Sequence, residues 1–197
     1  MPADSRPKLR IALVDEKPER SDDLQRALVA EGYDVLARLP SGADLRARIA
    51  ELAPDVIIVD MQSPERDVLE DMQRLQAEEP RPVVMFVDET DSDSIQAAVR
   101  AGVSAYVVDG LRSRSVRPIV EVAIARFQAF QALREELDAA RVSLEERKLI
   151  ERAKGILMQR RNVGEAEAYQ LLRRAAMDRQ MKLVEVARHL IEISELL

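Results

Sequence analysis

Between residues 10 and 108, short and mostly apolar runs alternate with longer stretches in which apolar positions return every three or four residues. The runs are Arg10 to Val14, Tyr33 to Leu39, Val56 to Val59, Val83 to Val87 and Ala105 to Val108. Near-continuous apolar runs predict strands covered on both faces, hence a parallel sheet. The intervening spacing predicts helices from about Arg20 to Glu31, Gly42 to Ala53, Val68 to Glu78 and Ser92 to Ala101, with Pro54, Pro80, Pro82 and Gly102 as stops.

After Asp109-Gly110 the period changes. From Val116 to about Glu151 there is no glycine, and Pro118 lies where a first helical turn tolerates it. Read as heptads, Val116, Ala123, Phe130, Leu137 and Leu144 take one seam position, and Val120, Phe127, Arg134, Arg141 and Lys148 the other. The seam is apolar in its first half and charged in its second. Two readings stay open: a connecting helix that pairs with a partner through Val116, Val120, Ala123, Phe127, Phe130 and Leu137, or an extended fifth helix packed only on its own domain. The remaining residues predict three short helices, broken at Asn162-Val163-Gly164 and between Asp178 and Lys182. The expected organisation is a sheet domain at 1–115, a connecting helix at 116–146 and a three-helix unit at 147–197.

Composition narrows the class. The 197 residues are 47% apolar and 34% charged, enough to bury a core and stay soluble, and without cysteine there are no disulfides or thiolate metal sites. No apolar run approaches the roughly 20 residues needed to cross a bilayer, and the first ten residues lack a signal-peptide core, so a cytoplasmic protein is expected. Charge is unevenly placed: residues 1–111 carry a net −10, whereas residues 147–182 carry +6 within a chain of −6. A basic block on a small helical unit suits phosphate neutralisation, although a charge run also serves as a solvated face. The block makes membrane binding less favoured, since no aromatics stand beside its lysines.

Asp15-Glu16 and Asp60 stand at C-terminal ends of predicted strands, the edge where open α/β sheets bind ligands. They are either solvated strand-end acids or an oxygen site for Mg²⁺. The segments VDEKPER, IIVDMQSP and PVVMF, with Pro64 four residues beyond Asp60, resemble the receiver domain of bacterial response regulators over residues 8–125. The resemblance implies a flavodoxin-like α/β fold with a five-stranded parallel sheet, Mg²⁺ at Asp15, Glu16 and Asp60, and Asp60 as phosphoacceptor. Two positions depart from the family. Val87 stands where a Thr or Ser hydroxyl is usual, and Asp109-Gly110 where a lysine precedes a proline. A carboxylate there repels a phosphoryl group that lysine attracts. Thr90 or Arg112 substitutes only if the loops shift. The expectation is a pseudo-receiver governed by a protein partner, with no cofactor required.

The tail segments IERAKGILMQRR, EAEAYQLLRRAAM and KLVEVARHLI resemble the ANTAR domain, an RNA-binding antiterminator module, over about 50 residues. The resemblance implies a protein, usually dimeric, that binds paired stem-loops in a leader transcript and prevents a terminator from forming. Arg152, Lys154, Arg160, Arg161, Arg173, Arg174 and Lys182 are the expected phosphate contacts. Tyr169 either stacks on a base or packs in the core. Gly155, a costly helix residue, allows close approach of another helix or of RNA backbone. The full arrangement is similar to NasT-type regulators of nitrate and nitrite assimilation, in which a sensor protein restrains the regulator. Competing readings are a regulator that dimerises when Asp60 is phosphorylated, and a DNA-binding regulator using the same helices. No nucleophile–base pair or Gly-rich phosphate loop supports an enzyme.

Overall fold

The computed structural model describes residues 8–15, 18–42, 44–64, 66–89, 91–108 and 116–195. Glu16, Thr90, Asp109, Gly110 and Arg112, singled out from the sequence, lie outside the described residues. Five strands, β1 (Arg10–Asp15), β2 (Asp34–Pro40), β3 (Val56–Met61), β4 (Val83–Val87) and β5 (Ala105–Val108), pair in parallel in the order β2-β1-β3-β4-β5. They alternate with α1 (Pro18–Ala30), α2 (Leu45–Leu52), α3 (Arg66–Glu78) and α4 (Ser92–Arg100). The strand order reverses between β1 and β3, where Asp15 and Asp60 are register partners. The two carboxylates therefore share the crevice at a topological switch point, the place such sheets bind ligands.

The period of two along each strand divides the core between the sheet's faces. Ile57 and Val59 join Val14, Met72 and Leu75 on one side; Val56 and Ile58 join Leu24, Leu28 and Phe86 on the other. Ala53 closes α2 in the left-handed region at φ 45°, its N–H donating to the Ile49 carbonyl, and Pro54 prevents continuation. Gly102 turns the chain into β5 at φ +86°, and a Cβ there would lie 2.8 Å from Cγ of Gln76. Only glycine fits both conditions.

α5 runs unbroken from Val116 to Arg161. Its first turns are part of the sheet domain: Val116, Val120 and Ala123 are 0–2% exposed against Leu24, Leu28 and Phe86. These three positions were expected on a partner seam, and that expectation is corrected. A stripe returning every three or four residues looks the same whether it meets its own sheet or another helix. Phe127 is half-buried, while Phe130 and Leu137 remain 63% and 50% exposed. The exposed apolar positions continue as Phe130, Leu133, Leu137, Ala140 and Leu144, a heptad stripe apolar throughout. In that register Arg134, Arg141 and Lys148 flank the stripe rather than interrupt it.

The chain divides into two compact units, Met1–Gln131 and Ala132–Leu197, with the division inside α5. In the second unit the end of α5 packs with α6 (Glu165–Arg179) and α7 (Leu183–Glu195) around Ala153, Leu172, Ala176, Val186, Ala187 and Ile191. The first of the three tail helices is thus the end of the long helix. Asn162, at φ 52°, makes the turn after α5; Gln180, at φ 53°, closes α6, its N–H donating to the Ala176 and Met177 carbonyls.

Candidate nucleic-acid interface

In the acidic crevice Asp60 is 1% exposed and Asp15 7%. Arg38, on the neighbouring strand β2, donates to Oδ2 of Asp15 from Nε at 3.1 Å and Nη2 at 3.0 Å, and from Nη1 to Asp22 at 2.5 Å. Val87 ends β4 buried, so no hydroxyl stands at that position. Asp15 has a cationic counterpart in Arg38. Among the described residues no cluster of three or more potential metal-ligating side chains is assembled.

The basic residues of the tail fall into three groups. Lys154 is 7% exposed, and its ammonium donates to both oxygens of Glu151 at 2.9 Å and to Glu165 at 2.6 Å. These hydrogen bonds, first that to Glu165 and then that to Glu151, raise its pKa, and the ammonium in turn lowers that of Glu165. The expectation that Lys154 contacts a phosphate does not match this placement: all its near partners are carboxylates of its own domain, joining α5 to the first residue of α6.

Arg152 and Arg160 form the second group. Arg152 pairs with Glu195 at 2.6 Å, and Arg160 donates to the Ser194 carbonyl at 3.1 Å. Arg160 thereby satisfies a carbonyl in the last turn of α7 that has no intrahelical partner. Both arginines are exposed, so these contacts are weak and a phosphate competes with them readily.

The third group is uncommitted. Arg161, Arg173, Arg174, Arg179 and Lys182 are exposed, and their side chains meet no hydrogen-bonding or ionic partner among the described residues. Arg147 and Arg188 share that condition. On α6 the inward positions are Ala168, Leu172 and Ala176. Tyr169, Arg173 and Met177 follow at four-residue intervals beside that stripe, with Gln170 and Arg174 further round. Gln170, Arg173, Arg174 and Met177 line a shallow depression of about 510 Å³ together with Glu167, Leu171 and Asp178. Tyr169 is 39% exposed and Met177 70%, so the tyrosine is not enclosed in the core.

Gly155 is half-buried, and a Cβ there would meet nothing within 4 Å. Packing of another helix of the same unit is therefore not what requires the glycine. His189 is exposed on α7. The sequence reading missed Glu151, Glu165, Glu195 and Arg38 as partners, and Met177 as an exposed apolar side chain. The capping-like position of Glu165 at the start of α6 was the one local signal.

Comparisons with known proteins agree with both halves. The response regulator receiver domain matches residues 11–120 and the ANTAR domain residues 138–191. The transcriptional regulatory protein PdtaR of Mycobacterium tuberculosis is 31% identical over 191 residues, 96% of this chain and 93% of that protein. A nitrate regulatory protein of Klebsiella oxytoca is 35% identical over 88 residues, 45% of this chain and 22% of that protein. Among solved structures, the receiver domain of a modulated diguanylate cyclase from Desulfovibrio desulfuricans covers 62% of this chain and 98% of its own, at 22% identity and a TM-score of 0.55. That likeness concerns the fold alone. No helix of the described residues is long and apolar enough to cross a membrane. The chain belongs to the ANTAR-domain response regulators, a regulatory and non-enzymatic family that joins a receiver to an RNA-binding helical domain.

Proposed function

We propose that the protein is a transcription antiterminator that binds paired stem-loops in a nascent leader transcript and keeps a terminator hairpin from forming. The observation that carries this reading is the set of uncommitted cations on α6 and the end of α5, inside the segment that matches the ANTAR domain. Arg161, Arg173, Arg174 and Lys182 supply phosphate contacts, and Tyr169 supplies a plane on which an unstacked loop base rests. Arg152 and Arg160 join them by exchanging weak internal contacts for phosphates. Lys154 holds the junction of α5 and α6. Gly155 leaves its surface open for a close approach from outside the unit.

Two copies associate through the exposed stripe from Phe130 to Leu144. A parallel arrangement sets Glu136 of one copy against Arg141 of the other, whereas an antiparallel one sets the basic flank against itself. The receiver takes its signal from a sensor protein rather than from phosphorylation of Asp60. This is supported by Val87 in place of a hydroxyl and by Arg38 on Asp15. Nitrate and nitrite assimilation genes are the first targets to test, on the resemblance of the full arrangement to NasT-type nitrate regulators.

The deciding experiment measures affinity of the full chain for a tandem-hairpin RNA and for duplex DNA of equal length, at one salt concentration of about 150 mM. Preference for the RNA by about tenfold or more supports the reading. Equal or greater affinity for the duplex favours a DNA-binding regulator instead.

A further inference from the structure

Two rows of side chains run along the outer face of α6 at four-residue intervals, so that successive members stand about 6 Å apart along the axis. Tyr169, Arg173 and Met177 form one row, and Gln170, Arg174 and Asp178 the other. All six are exposed, and all except Tyr169 line the depression of about 510 Å³. An aromatic ring beside an amide thus stands at one end, a thioether beside a carboxylate at the other, and two guanidinium groups between them. The thioether end is unusual in two ways. Met177 leaves 70% of its surface in water, more than any other large apolar residue among those described. Asp178 lies one residue from the end of α6, where the helix dipole disfavours a carboxylate, and it meets no cation within ion-pair distance among the described residues. Glu167, the other carboxylate of the depression, stands in the first turn, where the dipole favours it. Asp178 also repels the phosphates that its arginine neighbours attract, so charge neutralisation gives no reason for it.

We propose that Met177 and Asp178 form a seat for one unstacked guanine of the transcript, with Asp178 reading its Watson–Crick edge. The seat rests on the reading of the tail as an RNA binder and adds to it the base that this end of α6 selects. An ionised carboxylate only accepts hydrogen bonds, through two oxygens side by side. Guanine is the one common base whose Watson–Crick edge carries two adjacent donors, N1–H and the N2 amino group. Adenine and cytosine present a donor next to an acceptor there, and uracil a single donor between two carbonyls. A carboxylate facing any of these three meets at least one lone pair. The Watson–Crick edge is open only in an unpaired base, the form in which RNA sequence is read. Met177 gives the face of the base an adaptable apolar surface. Arg173 and Arg174 hold the neighbouring phosphates, which position the strand without reading it, and the carboxylate supplies the discrimination they lack.

The test uses the full chain and a pool of tandem-hairpin RNAs with randomised loops, from which bound members are selected and sequenced. Wild type is expected to enrich a guanine at one loop position. Inosine at that position lacks the N2 amino group; it should weaken binding by wild type about tenfold and leave Asp178→Ala indifferent. Asp178→Asn, whose amide sets a donor beside an acceptor, is expected to exchange the guanine for adenine or cytosine. Since Asp178 is exposed and disfavoured by the dipole, both variants should melt no lower than wild type. Enrichment of the same loops by wild type and Asp178→Asn overturns the seat and spares the RNA reading. Equal affinity of wild type for the guanine and inosine RNAs does the same without any variant. Failure of wild type to retain any of the pool overturns both.

Discussion

Arg38 in the sheet domain and Arg173 on α6 carry the same guanidinium, yet Asp15 and Asp22 accept from the first, whereas among the described residues no carboxylate meets the second. The contrast extends beyond the pair. Arg10 donates to the carbonyls of Leu52 and Ala53 at the end of α2, and Arg81 to that of Pro54. In the first unit these arginines complete the fold. In the second, Arg161, Arg173, Arg174, Arg179 and Lys182 are exposed and meet no counter-charge among the described residues. A formal net charge of −6 does not reveal this difference. What separates a structural cation from a binding cation is whether the chain has already provided its anion.

Lys154 is the buried case among the tail cations that do have partners within the fold, Arg152 and Arg160 being exposed. Its neighbours can be used to break the comparison. The largest expected effect comes from the core beneath it: Leu172→Ala should cost the tail unit about 2–5 kcal/mol and leave the receiver's melting unchanged. Calorimetry reads this as a downward shift of one transition. A shift of both would show that the receiver's stability depends on the tail. Next in size, Gly155→Ala should stabilise the helix by about 1 kcal/mol, since nothing within 4 Å obstructs the methyl group. If RNA affinity falls while stability rises, the glycine serves an approach from outside; unchanged affinity removes that role.

The smallest effect is a pH dependence. Glu165 has a lowered pKa, so its contribution is complete above the ordinary carboxylate range and disappears as pH falls through the depressed folded value. Lys154 has a raised pKa, so its contribution is complete below the ordinary lysine value and disappears as pH rises through the folded one. The junction is expected to hold across the neutral window and loosen at both ends. Thermal melts of Glu165→Gln should show a flatter acid limb than wild type, and an unchanged limb would remove the pair from the account.

Most of the fold was legible because burial on both faces writes a strand as a continuous apolar run, and each predicted strand appears in the sheet. Helix positions followed from period and from stops such as Pro54 and Gly102. The surface that a stripe meets was not legible. Val120 and Leu137 read alike in the chain, though one lies in the sheet core and the other is 50% exposed. Partners were illegible for the same reason. Arg38 reaches Asp15 across 23 residues, Lys154 reaches Glu165 across 11, and Arg152 reaches Glu195 across 43. Local pattern carries no record of such contacts, so a basic residue committed within the fold and one left free share the same spelling. Tyr169 and Arg173 could be placed only once α6 had fixed its rotation through Ala168, Leu172 and Ala176.

The most direct test of that distinction is the slope of log affinity against log salt for tandem-hairpin RNA, compared between wild type and the double variant Arg173→Ala, Arg174→Ala. If both guanidinium groups meet phosphates, the slope should become shallower by about two units while circular dichroism and melting stay unchanged. The same slope in both proteins, with the fold intact, would contradict the claim that the uncommitted cations of α6 bind the transcript.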